Sequence, residues 1–153
     1  MMKKLIFSLG ISFMTLVAAA QFTFEKQYPF YQQAFADVVF SQDDGFVMAF
    51  IGQKDKLYFC LIKTDLDGDT LWTKDYDFNI TSFGNTVGTQ DSEGNMYVSF
   101  YRGSKNLAKF SPSGDLIWST YVDNYSFEMQ LTGNTLWMAT KGCYLYTMDA
   151  ATG

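Results

Sequence analysis

The chain has 153 residues, with 11 basic and 16 acidic side chains and no histidine. Without an imidazole, Ser-His-Asp and Cys-His nucleophile systems and His-ligated zinc or haem are excluded. The acidic balance repels phosphate backbones and excludes nucleic acid as a partner, while 18% aromatic residues, far more than a disordered chain carries, lead us to expect a folded core.

The first predicted element is a leader. Lys3 and Lys4 form a positive start, and Leu5 to Val17 form an apolar run broken by Ser8, Gly10, Ser12 and Thr15. Ala18, Ala19 and Ala20 then supply the small residues that signal peptidase requires. Residues 1–20 therefore read as a signal peptide cut after Ala20. The apolar run is shorter than the ~20 residues that span a bilayer, and no cysteine follows the cut to carry a lipid. A secreted, periplasmic or cell-surface protein with no membrane span after cleavage is expected. Lys3 and Lys4 leave with the leader, which takes the 11 basic residues to 9 against 16 acidic, a net charge of −7. The remaining basic residues are scattered and form no patch.

From Gln21 onward no stretch has helical periodicity. Short runs rich in Val, Ile, Phe, Tyr and Thr alternate with Gly, Asp and Ser turns roughly every ten residues, the all-β signature. The spacing predicts a lone strand over 21–30, then strands over 34–41, 46–52, 57–65 and 70–77. A second set follows over 83–90, 95–102, 106–111 and 115–122, and a third over 126–132, 134–141 and 143–149. The sets repeat in sequence. Asp44-Gly45 ahead of Phe46 to Ile51 recurs 49 residues on as Glu93-Gly94 ahead of Met96 to Tyr101. Asp65-Leu66-Asp67-Gly68-Asp69 ahead of Leu71-Trp72 recurs 46 residues on as Ser111-Pro112-Ser113-Gly114-Asp115 ahead of Ile117-Trp118.

The third copy has Thr132-Gly133-Asn134 at its first turn and stops within Asp149-Ala150-Ala151-Thr152-Gly153, before an outgoing strand and its Trp. Phe24, Lys26, Tyr28 and Phe30 match Trp72, Lys74, Tyr76 and Phe78, each 48 residues apart. The expected organisation is thus a lone outer strand over 21–30, repeat 1 over 31–78, repeat 2 over 79–122 and an incomplete repeat 3 over 123–153. The expected fold is all-β: four-stranded antiparallel β-propeller blades, about three of them, in an incomplete or open ring. Gly84 and Gly88 on the inner strand of repeat 2 suit a crowded centre. In the second strand of repeat 1 both faces are apolar, which suits a sheet held between two neighbours.

The ending Asp149-Ala150-Ala151-Thr152-Gly153, after Leu145 to Met148, resembles the repeat of quinoprotein-dehydrogenase-like propellers, an Asp-x-x-Thr-Gly turn followed by a tryptophan. Asp65 to Trp72 and Ser111 to Trp118 are variants of the same unit. The chain also resembles the tandem propeller repeats of large secreted or surface proteins of the Bacteroidetes type. The resemblance covers nearly all of the chain beyond the leader. It implies that Trp72 and Trp118 each dock one blade onto its neighbour, and that Asp65, Asp67, Gly68, Ser111, Gly114, Asp149, Thr152 and Gly153 are structural repeat residues.

Candidate chemistry is sparse. Asp65, Asp67 and Asp69 alternate as calcium ligands can, but an EF-hand loop needs Gly at position six and Glu at twelve. Those positions hold Thr70 and Tyr76, so a tight turn is the preferred reading. Asp43-Asp44-Gly45 and Asp91-Ser92-Glu93-Gly94 read as turns as well, and no carboxylate pair stands out for glycoside hydrolysis. Cys60 and Cys143 fall in different repeats, a whole blade apart and beyond the ~7 Å Cα limit of a disulfide, so both are expected unpaired and mostly buried. Tyr97, Tyr101, Tyr121, Tyr125, Tyr144 and Tyr146 could line a sugar or peptide groove, with packing between blades the preferred role.

No catalytic, cofactor-binding or metal-binding residue is assigned and no cofactor is expected. The expected function is an exported, non-enzymatic binding or scaffold module for a protein or glycan partner. The resemblance admits two others: a remnant of a pyrroloquinoline quinone (PQQ) dependent dehydrogenase, or an outer-membrane assembly factor. The stop inside a turn at Gly153 reads as the end of a fragment. If the stop is natural, two three-bladed chains could form a homodimeric six-bladed ring.

Overall fold

The structure, a computed structural model, describes residues 28, 31, 33–123 and 126–153, with the backbone alone at 33–37. The predicted leader lies outside the described residues, as does the lone strand over 21–30 except for Tyr28. Among the described residues there is no helix. Eleven strands form three antiparallel sheets in which chain neighbours are sheet neighbours.

Sheet I comprises β1 (Gln33–Gln42), β2 (Gly45–Gln53), β3 (Leu57–Thr64) and β4 (Thr70–Tyr76). Sheet II comprises β5 (Thr86–Gln90), β6 (Met96–Phe100), β7 (Leu107–Phe110) and β8 (Leu116–Thr120). Sheet III has β9 (Ser126–Thr132), β10 (Thr135–Thr140) and β11 (Tyr144–Asp149), in the order β11-β10-β9. The strands fall where the turn spacing places them, because β-branched and aromatic runs bounded by tight turns have little alternative to a meander. The inner strand of the second set is shorter than expected. It starts at Thr86, which leaves Gly84 outside it.

The sheets stack in chain order. Val47, Ala49 and Ile51 of β2 and Phe59 and Leu61 of β3 meet Met96, Val98 and Phe100 of β6 and Ala108 and Phe110 of β7 in one core. The opposite face of sheet II, with Tyr97 and Leu107, meets Met129, Leu136 and Met138 of sheet III in a second core. Sheet II is apolar on both faces because both are covered. β5 lies beside both β1 and β9, so the first strands of the three sheets adjoin. Gly88 on β5 is in close approach to this neighbour: a Cβ there would stand 2.6 Å from Phe40 Cζ of β1.

Phe59 anchors the first core. Its ring lies 4.8 Å from that of Phe100 and 5.3 Å from that of Phe110, both stacked. Such pairs add about 0.5–1.5 kcal/mol each beyond area burial.

Register makes the sheets superimposable position by position. Val47 pairs with Lys63, Tyr97 with Lys109 and Trp137 with Thr147. Ala49 pairs with Leu61 and Ala139 with Leu145, while Ser99 pairs with Leu107. The glycine turns are 49 residues apart but these strand positions 50, because the hairpins differ. Asp43-Asp44 alone closes the Gln42–Gly45 pair, whereas five residues close the Gln90–Met96 pair.

The cysteines are unpaired, as expected, but only Cys60 is buried. Cys143 is exposed, which corrects the sequence reading. It occupies the β10–β11 turn with φ 64°, outside the packed faces.

Candidate functional site

The repeat residues form docking turns. In the β3–β4 turn, Asp65 Oδ1 accepts the N–H groups of Asp67 at 3.0 Å and Asp69 at 2.8 Å, and its C=O accepts that of Gly68 at 3.2 Å. In the β7–β8 turn, Ser111 Oγ accepts the Asp115 N–H at 3.0 Å and its C=O that of Gly114 at 2.9 Å. The oxygens of Asp65 and Ser111 thus organise their own loops. The β5–β6 turn is built alike, with Asp91 Oδ1 accepting the N–H groups of Glu93 and Asn95. That likeness was missed in the sequence because the turn sits between first and second strands rather than third and fourth.

At the last turn Asp149 Oδ1 accepts from Ala151 at 2.8 Å and Thr152 at 3.0 Å, while Gly153 donates to the Asp149 C=O at 3.0 Å. These N–H bonds hold the Asp149 carboxyl below the usual range.

Each turn receives aromatic residues from the preceding unit. Trp72 of β4 lies so close to Gly114 that a Cβ there would stand 2.6 Å from its Cη2. Lys74 Nζ reaches Asp115 Oδ1 at 2.6 Å, and the Tyr76 hydroxyl donates to the Gly114 C=O. Trp118 of β8 lies on Gly153 in the same manner, 2.9 Å from a would-be Cβ, and its Nε1 donates to the Ala150 C=O at 3.4 Å. The Tyr28 hydroxyl donates to the Gly68 C=O at 2.9 Å, repeating at sheet I the bond Tyr76 makes at sheet II. The repeat residues therefore join sheet to sheet.

A cleft of about 370 Å³ opens at the other end of sheet II. It is formed by the segment between β4 and β5 (Asn79, Thr81), the β6–β7 turn (Tyr101 to Ser104, Asn106) and Tyr121 after β8. Buried Asn106 frames it. Its side-chain N–H donates to the Val122 C=O and its Oδ1 accepts the Val122 N–H, both at 2.8 Å. The Ser104 N–H and Oγ–H both donate to the Phe78 C=O, at 2.8 and 2.9 Å. Asn79 and Arg102 hold left-handed backbone, φ 51° and 53°, which asparagine adopts readily and arginine uncommonly. The Arg102 guanidinium sits 4.9 Å from the Tyr101 ring centroid, and Tyr121 is exposed. A smaller hollow beyond Tyr101 is lined by Gly84, Asn85 and Phe127.

No family model and no curated protein matches the chain.

The cleft brings together two of the six tyrosines named in the sequence reading, Tyr101 and Tyr121. Tyr97 is buried between sheets II and III, Tyr146 packs on the same core, Tyr144 is exposed at the sheet III edge, and Tyr125 lies outside the described residues. Arg102, Asn79 and Asn106 were not singled out. The one available signal was Gly84: a side chain there would collide with Tyr101.

Two of the turn carboxylates have partners of their own. Asp44 takes an ion pair from buried Lys63 at 2.5 Å, and Lys63 also reaches Gln42 Oε1 at 2.6 Å. Asp91 accepts from the Asn95 side chain and from the Tyr97 hydroxyl. PQQ, a planar tricarboxylate used with calcium, does not fit the cleft. Arg102 alone faces its three negative charges, and no lining carboxylate could share a calcium ion.

Proposed function

We propose that the chain is an exported binding or scaffold module of the β-propeller type, taking a glycan or a peptide segment at the Arg102–Tyr121 cleft. One observation carries this. The cleft offers a guanidinium, two tyrosine rings, amides and hydroxyls, but no carboxylate, thiol, amine or imidazole. Such a set stacks on flat apolar faces and hydrogen-bonds hydroxyls or carbonyls. Binding without turnover is the chemistry it supports. The propeller reading is supported by the stacked meanders, the adjoining first strands and the tryptophan resting on the next turn, the docking that quinoprotein-like repeats imply. Export is supported by the leader sequence.

The test is a screen of the purified chain against immobilised glycans and peptides. Arg102→Ala and Tyr121→Ala, both at exposed side chains, are expected to lower binding at least tenfold and leave the far-UV circular dichroism unchanged. Binding that ignores both substitutions would place the ligand elsewhere and overturn the assignment.

A further inference from the structure

Arg102 carries a positive charge that no carboxylate among the described residues answers. Lys54, Lys56, Lys63 and Lys74 each form an ion pair with an aspartate, and Arg102 forms none, although the chain holds 16 acidic against 11 basic side chains. The guanidinium stands over the Tyr101 ring, 4.9 Å from its centroid, a contact that holds it in place and leaves its N–H donors for a ligand. Lys105 is exposed in the same turn. Four carboxylates gather instead at the opposite end of sheet II, where Asp43, Asp44, Asp91 and Glu93 line a hollow of about 310 Å³ between the β1–β2 and β5–β6 turns. The lining of the cleft has none. Asp77 and Asp123 border that lining in sequence without joining it, and Asp77 is paired with Lys56.

Two recesses adjoin at this end. Tyr121, 57% exposed, lies in the larger cleft and Phe127, 50% exposed, in the smaller hollow, and Tyr101 borders both. Gly84 permits this arrangement, since a Cβ there would stand 2.4 Å from Tyr101 Cβ. Exposed rings on either side of a shared wall suit consecutive flat units of a polymer, with hydroxyls for the exposed Thr81 and Asn85 side chains to hydrogen-bond. A peptide commonly docks by adding a strand to an open backbone ladder, and the lining offers none. The N–H groups of Asn79, Thr81, Ser104 and Asn106 are already spent on Asp77 Oδ1 and on the C=O groups of Arg102, Phe78 and Thr120.

Resting on the reading of this cleft as a binding site, we propose that its ligand is an acidic glycan, a chain of sugars that carry carboxylates. One sugar ring lies on Tyr121 with its carboxylate on the Arg102 guanidinium, a planar pair that can form two parallel hydrogen bonds. The next ring lies beyond Tyr101 against Phe127. The carboxylate-free lining at this end and the acidic hollow at the other orient an anionic chain towards the cleft.

Calorimetric titration tests this with short oligosaccharides of galacturonic, mannuronic, guluronic and glucuronic acid, each beside its carboxyl-reduced form, which keeps the rings and loses the charge. At least one uronate is expected to bind, and its reduced form to bind about tenfold more weakly, the loss of one charge-assisted hydrogen bond. In Arg102→Gln that difference is expected to vanish, and Arg102→Lys is expected to recover part of it. Phe127→Ala, at an exposed side chain, is expected to weaken the oligosaccharide and leave the single sugar unaffected. Binding of no uronate overturns the proposal, as does a preference for the uronate that survives Arg102→Gln. Acidic peptides that bind where no uronate does overturn the glycan, and equal binding of a sulfated, carboxyl-free oligosaccharide overturns the carboxylate. An oligosaccharide indifferent to Phe127→Ala overturns the placing of the second ring. Neutral glycans whose binding still depends on Tyr121 would leave the cleft a binding site and sink only the acidic ligand, so the two readings fail separately.

Discussion

Gly114 offers a direct measure of how much the tryptophan docking contributes. Its φ is +80°, and a Cβ would stand 2.6 Å from Trp72 Cη2 and 3.0 Å from Cζ3. Gly133, in the β9–β10 turn, has φ +58° and nothing within 4 Å of a would-be Cβ. Alanine at either position meets the left-handed backbone cost of about 1–2 kcal/mol. Only at Gly114 must the indole also move, an overpacking cost of about 1–3 kcal/mol. Gly114→Ala is therefore expected to destabilise by about 2–5 kcal/mol and Gly133→Ala by about 1–2 kcal/mol. In a Trp72→Ala background the closest collision partner is gone, leaving only the flexible Lys74 Cδ at 3.2 Å, and the Gly114→Ala penalty should fall towards that of Gly133→Ala. Urea unfolding followed by far-UV circular dichroism gives all the values without depending on tryptophan emission. The reasoning is refuted if the two glycine penalties agree within ~0.5 kcal/mol, or if removing Trp72 leaves the Gly114 penalty unchanged.

Two further predictions concern titration and reactivity. Burial pushes the Cys60 thiol up to about 12, while Cys143 is exposed. A maleimide should therefore label one thiol in the native protein and two in denaturant, and mass spectrometry showing two native labels, or none, would contradict the placement. The Lys63 ion pair lowers the Asp44 carboxyl, the Lys74 pair lowers Asp115, and turn N–H groups lower Asp149. Carboxyls lowered by folding stabilise the protein above their ordinary value of about 4 and lose that contribution as pH falls through the folded value. Lys54 and Lys56 are raised, mainly by hydrogen bonds to Asp75 and Asp77, so their contribution is lost only above their ordinary value of about 10.4. With no histidine in the chain, the melting temperature should be flat from about pH 5 to 9 and fall below about pH 4. A step between pH 6 and 7 would be inconsistent with this.

Much of the architecture was legible because it rests on local rules. Alternation and turn residues placed the strands to within about three residues, and the recurrence of Asp/Ser-x-x-Gly before a Trp marked the docking turns. Where reading along the chain failed, a residue's neighbours came from distant segments. Cys143 looked like a strand residue and is exposed in a turn. Tyr97 and Tyr101 are four residues apart, yet one is sealed between sheets II and III while the other borders a cleft.

The Arg102 cleft is the clearest case. Its lining comes from three connections between strands, and nothing in the spacing of Asn79, Arg102 and Tyr121 shows that they meet.

The absence of histidine, the acidic balance, the all-β pattern and the meander order are properties of the sequence itself, because composition and short-range periodicity act before any distant contact forms. Which faces are covered is different. Val47, Tyr97 and Trp137 occupy one register position with similar apolar character, and among the described residues a further sheet packs on the first two, which are buried, and none on the third, which is exposed. The tertiary structure alone decided that, because burial depends on what else is packed there rather than on the residue.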